Sequence, residues 1–180
     1  MRIIAFVGLP ASGKSEASKV AREMGLAVVV MGDVIREEVH RRGLLLTDEN
    51  AGNVANDLRR VEGMGAIAKR CIPIIKEKET DVVVIDGIRG IAEVKRFRKE
   101  FGEGFRLIKV DTQLEERFQR LKGRARSDSL NNLDELRNRD ERELRWGMKE
   151  AMDSADMVIG NSGALDNFRE EVKSALNGFL

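Results

Sequence analysis

The sequence predicts an α/β fold of three layers: a doubly wound sheet of five parallel strands with helices on both faces. Three observations predict it. Short apolar runs recur along the chain, segments of helical periodicity separate them, and the connections are too long for hairpins, so neighbouring strands run parallel. At 180 residues the chain suits a single domain over 1–180 and is too short for two such sheets.

Ile3 to Val7 is an apolar run ended by Gly8, as expected of a first strand buried on both faces. Ala17, Val20, Ala21 and Met24 then recur at helical spacing, and Gly25 stops the run as a left-handed cap. Leu26 to Met31 reads as the second strand and Asp33 to Arg42 as the next helix. From Asp48 to about Lys78 the pattern is helical, with Val54, Leu58, Val61, Ala68, Ile72 and Ile75 on one face. Gly63 and Gly65 weaken that stretch, and Pro73 is expected to kink or restart it. Val82 to Ile85 is the third strand, Ile91 to Phe101 a helix and Phe105 to Val110 the fourth strand. Gln113 to Leu121 is helical, 122–132 a polar connection, and Leu133 to about Met152 one heavily charged helix. Met157 to Ile159 closes the sheet and Leu165 to Leu180 is the last helix.

Composition excludes several classes of function. Lys and Arg number 32 against 31 Asp and Glu, so net charge makes no case for a nucleic-acid partner. Seven Phe, one Trp and no Tyr leave few stacking platforms for single strands. No apolar run approaches the roughly 18 residues needed to cross a bilayer, and the N-terminus has no secretory pattern. These features predict a cytoplasmic protein without a membrane partner, monomeric or homodimeric. The single Cys71 and single His40 cannot build a structural zinc site. Any metal is therefore expected on oxygen ligands, with Cys71 filling the core and His40 on a helix surface.

The most specific signal is Gly8-Leu9-Pro10-Ala11-Ser12-Gly13-Lys14-Ser15, which fits Gly, four residues, Gly-Lys-Ser/Thr between a strand and a helix. By composition alone a chain of this length carries the pattern roughly one time in a hundred, and the strand and helix context lowers that further. Its glycines let backbone N–H groups converge on phosphate oxygens, and the helix N-terminus adds a positive dipole end. Lys14 supplies a mobile cation for the β- and γ-phosphates, and the Ser15 hydroxyl suits Mg²⁺. Glu16 follows in the same turn. Asp86, at the end of an apolar strand where open α/β sheets gather ligand-binding groups, is the second metal candidate. ATP and Mg²⁺ are thus the expected cofactors.

Other segments carry a resemblance. Met31-Gly32-Asp33-Val34-Ile35-Arg36 resembles the acceptor-side motif of adenylate kinases, and Asp86-Gly87-Ile88-Arg89 is similar to their Asp-Gly-x-x-Arg stretch, with the arginine one residue earlier. Arg120-Leu121-Lys122-Gly123-Arg124 resembles the opening of that family's lid. The stretch from Arg120 through Asn161-Ser162-Gly163 resembles dephospho-coenzyme A kinase, although Cys71-Ile72-Pro73-Ile74 stands where those enzymes tend to have His-Pro. Along its whole length the chain looks like a group of archaeal proteins related to both enzymes.

The resemblance implies a P-loop nucleotide kinase with an acceptor-binding region at about 32–78 and a lid at about 120–145. It implies transfer of the ATP γ-phosphate to AMP or a related nucleoside monophosphate, with the 3′-hydroxyl of dephospho-coenzyme A as the alternative acceptor. A nucleotide-binding regulatory ATPase is the reading from another class. Acceptor binding falls to Asp33, Arg36, Arg89 and the Asp86-Gly87 turn, with Arg59 and Arg60 as further candidates. Arg120 and Arg124, with Ser162 and Gly163, are expected at the nucleotide. Lys14, Arg124, Arg139 and Arg142 are expected to neutralise charge in the transition state. Asp33 is a candidate general base, the alternative being a helix N-cap. Arg139 and Arg142 are interleaved with Asp140, Glu141 and Glu143, and surface ion pairing is the alternative reading for them.

Overall fold

A computed structural model describes residues 1–122 and 133–180. Its elements follow the predicted alternation: β1 (Arg2–Val7), α1 (Lys14–Glu23), β2 (Ala27–Val30), α2 (Met31–Arg41), α3 (Asp48–Glu62), α4 (Ala66–Lys76), β3 (Val82–Asp86), α5 (Ile91–Phe101), β4 (Phe105–Asp111), α6 (Leu114–Lys122), α7 (Leu133–Arg145), α8 (Met148–Asp153), β5 (Met157–Gly160) and α9 (Leu165–Asn177). The five strands form one sheet in the order β2-β3-β1-β4-β5, and every neighbouring pair is parallel.

Successive side chains of a strand point to opposite faces, and β1 shows how this builds two cores. Ile3, Ala5 and Val7 join a cluster with Ile67, Ile75, Phe97 and Met148. Ile4 and Phe6 face Val20, Ala21, Phe168 and Leu176 on the other side. The strand therefore reads as an unbroken apolar run because both of its faces are covered. On its two flanks β1 pairs Phe6 with Asp86 of β3 and with Ile108 of β4. That register sets the turn after β1 beside the end of β3, in the crevice at the strand C-termini where α/β sheets place ligands.

Four expectations need correction. The long helical stretch breaks at Gly63 (φ 89°), at one of the two glycines expected to weaken it, but it does not restart at Pro73, which lies inside α4, a helix that runs on to Lys76. Pro73 and Lys69, whose carbonyl loses its donor, are both exposed, so water can satisfy the freed group. Val61, expected on the buried face, is 67% exposed, because the period ends with α3. The second helix begins at Met31 with Val30 as its cap, so Asp33 is its third residue and not an N-cap. The charged segment after Leu133 is two helices, α7 and α8. They part at Gly147, whose φ of 85° lies where residues with a Cβ are disfavoured. The chain turns there so that the Gly147 carbonyl accepts from the Ile91 N–H at 3.1 Å.

Candidate active site

The turn Gly8–Ser15 is held from behind by the C-terminal half of the chain. Three groups converge on one carbonyl, that of Ser12. The Asn161 amide donates to it at 2.7 Å, the Thr112 hydroxyl at 2.9 Å and Arg120 at 3.4 Å. Arg120 also donates to the Asn161 carbonyl at 2.6 Å. Arg117 reaches the Pro10 carbonyl at 3.1 Å and grips Asp140 through two bonds of 2.8 and 2.6 Å. A Cβ on Gly13 would stand 2.2 Å from the Asn161 amide nitrogen, and Gly13 has φ 118°. Only glycine allows this approach, so the motif's second glycine serves the packing of the turn against Asn161.

α1 starts at Lys14 with no side chain capping its first turn, which leaves its leading N–H groups available to an anion. Lys14 is buried and donates to the carbonyls of Gly8 at 2.5 Å and Leu9 at 2.9 Å. Burial, with Arg89 adding repulsion, pulls its pKa from 10.5 to about 7, against the opposing pull of Glu143 and Asp86. Ser15 is exposed and Asp86 half-buried. The Glu16 carboxylate is paired with Arg169 of α9. Among the described residues no group of three or more His, Cys, Asp or Glu side chains gathers to hold a metal. Ser15 and Asp86 could offer an ion one hydroxyl and one carboxylate, leaving phosphate oxygens and water to complete its shell. The helix end, the buried ammonium and this donor pair fit a Mg²⁺-bound polyphosphate.

Beside the turn lies a cleft of about 550 Å³ whose lining includes Gly32, Ile35, Arg36, Arg59, Arg89, Arg139, Arg142, Glu143 and Trp146. Five of the predicted arginines thus meet in one place, carried there by α2, α3, α7 and the turn after β3. Three of them are held by named neighbours. Arg59 is only 8% exposed, sits 5.2 Å over the Trp146 ring and pairs with the buried Glu93 at 3.4 Å. Glu93 also accepts from the Arg89 N–H at 2.7 Å, and burial pushes the Glu93 pKa up. The Arg89 guanidinium donates to Glu143 at 2.7 Å. Arg36 pairs with Asp33.

Not every predicted residue joins the cleft. Arg60 is 76% exposed in its side chain and binds Asp57, which places it on the outer face of α3. Asp33 is exposed, engaged by Arg36, and is not among the lining residues. Ser162 is exposed and donates to Glu116 at 3.0 Å, and Gly163 follows with φ 106°. Arg124 lies outside the described residues.

Several residues that organise the site carry no mark in sequence. Asp140 and Glu143 look like members of surface ion pairs, yet they are 8% and 3% exposed. Arg117 shares a face with Arg120 at helical spacing, which is the one local hint of its role. Glu38 is also buried. It accepts from Arg41, Arg42 and Arg70, braces α2 against α4, and has its pKa drawn to about 2, chiefly by the bonds from Arg41 and Arg42. Cys71 is buried, and burial pushes its thiol to about 12, consistent with core filling.

Known proteins with similar features place the chain. The AAA domain family matches residues 7–137. A UPF0200 protein of Methanosarcina mazei is 57% identical over 180 residues, covering 100% of this chain and 96% of that protein. Among solved structures, TT1252 from Thermus thermophilus has a TM-score of 0.69 at 20% identity, over 99% of this chain and 98% of that one. Shikimate kinase from Aquifex aeolicus has a TM-score of 0.58 at 19% identity, over 98% and 96%. At such identities the structural likeness is one of fold. With its glycine-rich phosphate turn on a five-stranded parallel sheet, the chain belongs to the UPF0200 proteins and to the AAA domain family.

Proposed function

We propose that the chain is an ATP-dependent phosphotransferase that passes the γ-phosphate to AMP or a related nucleoside monophosphate. The observation that carries this reading is the arginine-lined cleft next to Lys14. A site that only hydrolysed ATP has no use for Arg36, Arg59 and Arg89 on the side facing α2 and α3, whereas an anionic acceptor does. The kinase fold of the solved relatives supports the class of reaction.

An oxygen of the acceptor attacks the γ-phosphorus, the bond from that phosphorus to the β-bridging oxygen breaks, and ADP leaves. Phosphoryl transfer asks the protein mainly to position reactants and neutralise charge. Lys14, with the first turn of α1, holds the phosphate chain. Arg139 and Arg142 of α7 face the cleft and spread the charge that builds on the transferred group. Arg36, Arg59 and Arg89 hold the acceptor's own phosphate. Ser15 and Asp86 would hold a magnesium ion, which would supply further charge neutralisation on the phosphates. Arg120 and Arg124, with Ser162 and Gly163, complete the nucleotide side. A phosphate acceptor arrives already ionised, so Asp33 acts as base only toward a hydroxyl acceptor.

Incubating the protein with Mg²⁺ and labelled ATP, in turn with AMP, other nucleoside monophosphates and dephospho-coenzyme A, tests the proposal. Label on the acceptor's existing phosphate supports it. Label on a ribose 3′-hydroxyl moves the acceptor to the dephospho-coenzyme A class. Label only in inorganic phosphate, with ATP altering association with another protein, replaces the kinase by a regulatory ATPase.

A further inference from the structure

Glu143 stands out among the cleft residues because it is an acid in a ring of arginines. It is 3% exposed and lines the cleft with Trp146, one helical turn away. One carboxylate oxygen, Oε1, accepts from Arg89 at 2.7 Å. The other, Oε2, is buried with no hydrogen-bond partner among the described residues. A buried acceptor left in that state bears its full desolvation cost, so such an atom calls for an explanation. Its nearness to the phosphate turn shows in its pull on Lys14.

An ionised carboxylate accepts hydrogen bonds and donates none. A phosphate therefore cannot complete Oε2, and an added anion beside it is repelled. What fits is an O–H or N–H of the molecule that fills the cleft. Resting on the kinase reading of this site, we propose that Glu143 is a specificity residue whose Oε2 accepts a hydrogen bond from a hydroxyl or amino group of the acceptor. The arginines select the acceptor's phosphate, and Glu143 selects a neutral donor on the same molecule. In a nucleoside monophosphate the donor is a ribose hydroxyl or an exocyclic amine. Simple phosphate esters without such a group leave Oε2 buried and bare, and are rejected.

The test compares AMP with 2′-deoxy-AMP, 3′-deoxy-AMP and inosine monophosphate, each with Mg²⁺-ATP, in the wild type, Glu143→Ala and Glu143→Gln. In the wild type one analogue is expected to lose roughly ten- to a hundredfold in kcat/KM, mostly through KM. That loss shrinks to under about threefold in Glu143→Ala, which has no oxygen to leave unpaired. The analogue that shows it identifies the donor as hydroxyl or amine. Should Glu143→Ala not fold, Glu143→Gln keeps the size and an amide oxygen for Arg89, and a reduced discrimination is expected there too. Equal use of all four acceptors by the wild type, or discrimination unchanged in the variants, overturns the proposal while leaving the kinase reading in place. No transfer to AMP, its analogues, the other nucleoside monophosphates or dephospho-coenzyme A overturns both.

Discussion

Arg117 ties the phosphate turn to α7, and replacing it with methionine measures that tie. The side chains of Arg117 and Asp140 are 4% and 12% exposed, and their two bonds are 2.8 and 2.6 Å. Removing one partner of a buried ion pair strands the other charge, at about 3–5 kcal/mol. The slight exposure of Asp140 lets water reach it and argues for the lower end. Loss of the bond to the Pro10 carbonyl adds about 1 kcal/mol, giving about 4 kcal/mol in all. For a chain of this size each kcal/mol moves Tm by about 2–4 °C, so Arg117→Met is expected to lower Tm by about 8–16 °C. Asp140→Leu on top of it removes the stranded charge and is expected to recover more than half of the loss, since apolar replacement of a buried pair is often neutral. Urea and thermal unfolding of both variants read these numbers. A single variant within about 1 kcal/mol of the wild type, or a double variant no more stable than the single one, refutes the reasoning. Because α7 carries Arg139, Arg142 and Glu143, transfer is also expected to slow in the single variant and to return in part with the double.

Other outcomes follow from the same network. Lys14 gives up its proton near pH 7 when folded but only near 10.5 when unfolded; between those values the unfolded chain binds the extra proton, so this group makes stability rise with pH. Lys14→Met, besides abolishing ATP binding by calorimetry, is expected to be most stable relative to the wild type below pH 7, with the difference narrowing by pH 10. Glu38 gives the same direction of slope in a lower window, but there it is the charged form that stabilises the fold. Its folded pKa near 2 against 4.5 contributes stability that is fully present above about pH 4.5 and lost as pH falls to 2, so the urea midpoint of Glu38→Gln lies below the wild type's at pH 7 and meets it near pH 2. Arg59→Ala strands the buried Glu93 and is expected to cost about 3 kcal/mol and raise the acceptor KM. Arg60→Ala removes only an exposed pair and is expected to stay within about 0.5 kcal/mol of the wild type with kinetics unchanged, as unfolding and steady-state assays will show.

The order of strands and helices and the phosphate turn were legible in the sequence because each is a local property. Val82 to Ile85 is apolar because both faces of the strand are buried there, and α5 ends at Phe101 because Gly102 follows. Gly8–Ser15 declares itself because backbone contact with phosphate leaves few residue types at fixed spacing. Arg36 and Arg89 could be named from motifs and resemblance, and Arg59, Arg139 and Arg142 only as candidates beside a reading as solvated or ion-paired surface groups; the structure brings all five to one cleft. Arg60 could not be told from Arg59, since one helical step of about 100° separates a buried guanidinium from a solvated one. Tertiary structure alone decided the rest. Arg117 and Asp140 lie 23 residues apart, Asn161 lies 149 residues from Ser12, and Arg89 lies 54 from Glu143. Charge in sequence says nothing of burial, and these groups become a site only when the sheet order sets β4, β5 and α7 against the turn after β1.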